Sequence, residues 1–109
     1  MIKVTIYRKN GEITGFSGNG HANFEEYGKD IVCSAVSTAM QQAVVGILGY
    51  LKLNPKVGNR DGFLKLDLKN CKISEKNREL NAILESMYIM LKEIEKIYPK
   101  NLKIIEKEG

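Results

Sequence analysis

The stretch from Ile31 to Leu51 contains no Asp, Glu, Lys or Arg, and it constrains the fold more than any other part of the chain. An uncharged segment of that length is either a membrane span or the central helix of a folded core. Ser34, Ser37, Thr38, Gln41 and Gln42 interrupt it, so it is not the predominantly apolar run a bilayer requires. The core helix is the reading that follows. Its apolar positions, Val32, Ala35/Val36, Ala39/Met40, Ala43/Val44, Ile47/Leu48 and Leu51, recur every four residues. One turn takes 3.6 residues, so this stripe drifts around the helix and offers an apolar surface to more than one neighbour. Asp30 is the expected N-cap, its carboxylate accepting hydrogen bonds from the amides of Val32 and Cys33. Asn54-Pro55 is the expected end. The small polar residues Ser34, Ser37 and Thr38 leave room for other parts of the chain to come close.

The remaining elements are legible from period and turn chemistry. Met1 to Arg8 puts Ile2, Val4 and Ile6 on one face and Lys3, Thr5 and Tyr7 on the other, a half-buried strand. Lys9-Asn10-Gly11-Glu12 is a hairpin turn centred on Asn-Gly, and a second strand from Glu12 to Ser17 carries Ile13 and Phe16. Gly18, Asn19 and Gly20 loosen the chain before His21, and 22–29 reads as a loop. After the long helix come strands Lys56–Asn59 and Phe63–Leu68, joined by a turn at Arg60-Asp61-Gly62. Ser74 opens a second helix, whose stripe is Leu80, Ile83/Leu84, Met87/Tyr88, Leu91, Ile94 and Tyr98. Pro99 stops it, and Leu102-Lys103-Ile104 forms a short last strand. The order ββαββαβ predicts an α+β fold: one domain over 1–109, with two helices packed on one mostly antiparallel sheet.

Composition narrows the function classes. The formal net charge is +4, from 17 Lys and Arg against 13 Asp and Glu. The basic residues are dispersed, and a cluster such as Lys69, Lys72 and Lys76 is interleaved with Asp67 and Glu75. That describes a solvated surface rather than a nucleic-acid-binding tail, and direct nucleic-acid binding is not expected. One His and two Cys cannot furnish a four-ligand structural zinc site, and neither metal nor cofactor is expected. The N-terminus alternates like a strand rather than a secretion signal. The expectation is therefore reduced thiols in a cytoplasm, with no membrane partner.

Cys33 carries the chemical interest. With Asp30 as N-cap it would be the third residue of the helix, where free amides and the positive dipole end favour a thiolate. A thiol nucleophile working near neutral pH also needs a base, and His21 is the only imidazole. The segment between them can fold back to bring the two side chains within hydrogen-bond reach, and amides at the helix start could hold an oxyanion. Taken alone, a helical Cys is more often a small core hydrophobe, and spacing does not identify a dyad. Cys71, beyond the Leu64–Leu68 strand, keeps that plain structural reading.

Two separated blocks add specificity: Gly20-His21-Ala22, and Tyr27-Gly28-Lys29-Asp30-Ile31-Val32-Cys33-Ser34-Ala35-Val36-Ser37. Together they resemble the signature of the Prp ribosomal-processing cysteine proteases, in which Gly-His-Ala is followed by Gly-x-Asp-Ile-Val-Cys and a Ser four residues after the Cys. The resemblance extends to length and element order. It implies a cytoplasmic, homodimeric endopeptidase that removes the N-terminal extension of large-subunit ribosomal protein twenty-seven, cutting after an aromatic pair and before a small residue. On this likeness His21 is the general base and Cys33 the nucleophile. Asp30 organises the helix start, and Gly20, Gly28, Ser34 and Ser37 support the site or the substrate. The 22–30 segment, with Phe24 and Tyr27, is expected to close over the peptide. Two other classes fit the same chain: a non-catalytic ribosome- or RNA-binding accessory protein, and a cysteine-dependent acyl- or thiol-exchange enzyme.

Overall fold

The computed structural model describes residues 1–19, 27–60 and 62–109, with the side chains of 27–30 and 74 outside the description. A five-stranded sheet in the order β3-β4-β2-β1-β5 is built from β1 (Ile2–Lys9), β2 (Glu12–Asn19), β3 (Lys56–Arg60), β4 (Phe63–Asp67) and β5 (Leu102–Glu108). Two helices, α1 (Tyr27–Val45) and α2 (Asn77–Ile97), supply the second layer. Neighbouring strands run antiparallel except β1 and β5, which are parallel. The parallel pair follows from the connection: α2 carries the chain back so that β5 enters beside β1 in the same direction. This is the α+β architecture and the ββαββαβ order that the sequence predicts.

Local chemistry explains each half of the sheet. Ile2, Val4 and Ile6 are buried while Lys3 and Thr5 are not, the period of two expected of β1. Asn10 and Gly11 both take positive φ, 53° and 82°, as a two-residue hairpin requires and as Asn and Gly tolerate. The register shifts between Tyr7, opposite Gly15, and Arg8, opposite Ile13. The extra residue, Thr14, forms a bulge that re-phases β2, so Ile13 and Phe16 both reach the core despite their odd spacing. Gly15 is fixed by the neighbouring strand, because a Cβ there would lie 2.7 Å from the Leu66 carbonyl oxygen. Gly15→Ala is expected to lower stability by roughly 1–3 kcal/mol, the usual cost of overpacking. A drop in the urea midpoint checks it.

The core lies between the layers, around Val4, Ile6, Phe16, Val32, Ile47, Leu66, Leu84, Leu91 and Leu102. Ile31–Tyr50 is long and apolar enough to cross a membrane by composition. Here its residues Val32, Val36, Met40, Ala43, Val44 and Ile47 are spent on this core. The end of this helix departs from expectation. Gly46–Tyr50 widens into a π-turn, with Leu51 N–H donating to Gly46 C=O at 3.0 Å. Lys52 then takes a left-handed φ of 55° and stops the helix before Asn54-Pro55. Gly46 and Gly49 weaken the regular hydrogen-bond ladder there, which is where π-turns enter. The second helix opens through a 3-10 turn at Ser74–Lys76. The last strand runs to Glu108 rather than Ile104, because β1 offers a pairing partner along its whole length.

Arg8 ties the second helix to the sheet. Its guanidinium donates to Glu85 and to Glu106, each at 2.8 Å, and lies 4.8 Å from the centroid of the Tyr88 ring. Hydrogen bonds from Arg8 and then from Tyr88 hold the Glu106 carboxyl below its ordinary pKa. Burial pushes Glu95 up, but the Ile104 N–H at 2.8 Å and Lys92 outweigh it and hold that carboxyl low too. A carboxyl with a depressed folded pKa contributes its stabilisation above the unfolded value of about 4.3. It loses that contribution as pH falls through the folded value. The urea midpoint is therefore expected to fall as pH drops below about 4.3, and Glu106→Gln should blunt the fall.

Candidate active site

Helix α1 begins at Tyr27, three residues before the expected cap. Asp30 is thus not an N-cap but lies within the helix, and Tyr27-Gly28-Lys29 is helical rather than the end of a loop. The glycine and the lack of apolar period in 27–29 make Asp30 look like the boundary. Once a helix is nucleated, however, each added residue costs little. Cys33 accordingly stands in the second turn, beyond the first four amides left free at a helix start. The dipole acts mainly within the first turn, so the argument for a thiolate from the helix end loses its force. Gly20, His21 and Phe24 lie outside the described residues, as does Asp61 of the expected β3–β4 turn.

Cys33 lines an open cleft of about 140 Å³ between α1 and the sheet end formed by β2 and the β3–β4 hairpin. Its thiol is free and half-buried. Cys33, Ser37 and Gln41 follow one another every four residues along α1 and all line the cleft. Ser34 is exposed and is not among the cleft residues; one residue on from Cys33, it points to a different side of the helix. Gly18, at the end of β2, forms part of the floor with Met40. A Cβ on Gly18 would lie 2.5 Å from Met40 Cε, so the missing side chain is what lets the two pack together. The opposite wall comes from Asn59, Arg60 and Phe63. The Arg60 guanidinium sits 4.9 Å from the Phe63 ring centroid, a cation–π contact that stiffens this rim.

No local motif marks that second wall, because the 56–64 region reads as generic strand. The signal lies in the pairing: β2–β4 register sets Gly18 opposite Leu64 and Asn19 opposite Phe63, carrying the hairpin to the cleft. Cys71 sits beyond the other end of β4, its N–H donating to Leu68 C=O at 3.0 Å in a turn where Asn70 has φ 65°. Its side chain packs against the core, as the sequence suggests. A larger groove of about 620 Å³ between α1 and α2 has no Cys, His or carboxylate in its lining. Its described lining is mostly apolar, with Tyr50 and Ser86 the hydroxyl groups in it. Among the described residues no three His, Cys, Asp or Glu side chains gather as metal ligands.

Fold and site together place a free, half-buried thiol in the wall of an open cleft on an α+β scaffold. Comparison with known proteins gives the particular family. Residues 1–103 match the family model of cysteine protease Prp. The chain is 30% identical over 107 residues to the ribosomal processing cysteine protease Prp of Bacillus subtilis, covering 95% of this chain and 96% of that protein. It is also 30% identical to the Staphylococcus aureus protein of the same name, covering 95% of this chain and 97% of the relative. The crystal structure of the essential ribosomal processing protease Prp from S. aureus with a substrate peptide superposes with a TM-score of 0.83. That match has 30% identity and covers 98% of this chain and 100% of the other. The S. mutans protein SMU.848 has a TM-score of 0.86 at 24% identity, covering 100% of this chain and 96% of the other; it shares the fold. The chain belongs to the cysteine protease Prp family.

Proposed function

We propose that this protein is a cytoplasmic endopeptidase that removes the N-terminal extension of large-subunit ribosomal protein twenty-seven during ribosome assembly. The observation that carries the reading is Cys33 in an open cleft, in a fold whose S. aureus relatives have been crystallised with a substrate peptide and with a covalently linked product peptide. His21 acts as general base and takes the thiol proton, and Cys33 Sγ attacks the scissile carbonyl. The C–N bond breaks as His21 returns its proton to the departing amine. The extension is left as a thioester, which water hydrolyses to free the thiol and a carboxylate. Ser37, with Gly20 and Gly28, keeps the supporting role that the family motif gives it; Asp30 acts from within the first turn of α1, and Ser34 lies away from the cleft. Of these, Ser37 is supported by its place in the cleft.

The cut follows an aromatic pair and precedes a small residue in this proposal. The aromatic wall at Phe63 and the apolar floor at Met40 supply surface for such side chains. Changing the aromatic pair of an extension peptide to Ala-Ala is expected to reduce kcat/KM by at least tenfold, read by chromatography of the products. Equal cleavage of both peptides would remove the ribosomal assignment. The working form is a homodimer in the same proposal. Val45, Tyr50, Ile89 and Met90 are exposed beside the groove between α1 and α2, and an unpartnered apolar face of that kind favours a second copy.

A further inference from the structure

Gln41 and Asn59 have no part in the chemistry assigned to Cys33, yet they line its cleft from the two opposing walls. Each side-chain amide carries both a donor and an acceptor, the same pair of functions that a peptide group presents. Asn59 is opposite Leu64 in the β3–β4 register, and directly paired residues share a face of the sheet. Leu64 is buried, so Asn59 stands on the helix side of the sheet. It remains exposed there, as does every residue of this edge strand. Gln41 comes eight residues after Cys33 on the same stripe of α1, about 12 Å along the axis at 1.5 Å per residue. An extended peptide covers about 3.3 Å per residue, so Gln41 meets it three or four positions from the scissile carbonyl.

We propose that Gln41 and Asn59 grip the main chain of the substrate on one flank of the cut, so that the enzyme reads the length of the peptide as well as its side chains. The proposal rests on Cys33 being the nucleophile of a peptidase. Amides that bind peptide groups are indifferent to side-chain identity. The grip therefore adds affinity for any extended segment without changing which bond is broken.

The test is steady-state kinetics of Gln41→Ala, Gln41→Met and Asn59→Ala on a peptide with at least five residues on each side of the cut. Two further peptides are trimmed to two residues on one side or on the other. Each variant is expected to raise KM on the long peptide by about three- to tenfold, the worth of one or two neutral hydrogen bonds, with kcat within twofold. Trimming one particular flank should raise the wild-type KM by a similar factor and erase the variants' penalty. Thermal melts confirm that the variants fold. An unchanged KM on the long peptide overturns the proposal, as does a penalty that persists whichever flank is trimmed, or a fall in kcat alone. Failure of the nucleophile assignment shows separately, as cleavage retained by Cys33→Ala.

Discussion

Cys33→Ala is expected to abolish peptide cleavage while leaving the fold intact. The substitution deletes one atom, and at a half-buried position that costs about 1 kcal/mol or less. A small domain absorbs such a loss. In the proposed mechanism the same atom is the nucleophile that forms the thioester, so its loss removes the covalent pathway altogether. Cys71→Ala is the matched control, because that thiol packs against the core beyond the far end of β4. Its activity should stay within about twofold of the parent, with any effect appearing in stability. Peptide assays with circular-dichroism melts on both variants read the contrast, and reversed activities would move the nucleophile to Cys71.

The second large effect is expected at His21. Cys33 stands in the second turn of α1, past the free amides of the helix start, and in the proposed mechanism a base takes its proton. His21 is the only imidazole in the chain. His21→Ala should lower kcat/KM by about two to four powers of ten, the usual contribution of a positioned acid–base group. The residual activity should climb as pH rises, because hydroxide takes over the base's task. A variant with nearly full activity at neutral pH would mean that the thiolate forms without His21.

The sequence made some features legible because one short-range rule governs each. The alternation Ile2-Val4-Ile6 and the Asn10-Gly11 pair decide β1 and its hairpin, and the stripe Leu80-Leu84-Met87-Leu91-Ile94 decides α2. The start of α1 is hidden from the sequence because a capping residue is a local signal, whereas helix extension through Gly28 is cooperative. The Thr14 bulge leaves no local signal, because a register shift depends on the partner strand. The cleft divides along the same line. Cys33 and Ser37 share one helical stripe; Cys33 is singled out by the chain itself, and Ser37 by the family resemblance. Asn59, Arg60 and Phe63 reach the site only through the pairing of β2 with β4, which no local pattern encodes.

Intact-mass analysis of the reaction with the host's own unprocessed ribosomal protein twenty-seven tests the central claim most directly. Acid quenching at early times should show the enzyme heavier by the mass of the N-terminal extension less one water, as a thioester that hydroxylamine releases and that peptide mapping locates at Cys33. At late times the ribosomal protein should be lighter by that same mass, and Cys33→Ala should give neither species. An unshortened ribosomal protein, or processing that proceeds in Cys33→Ala, would contradict the account.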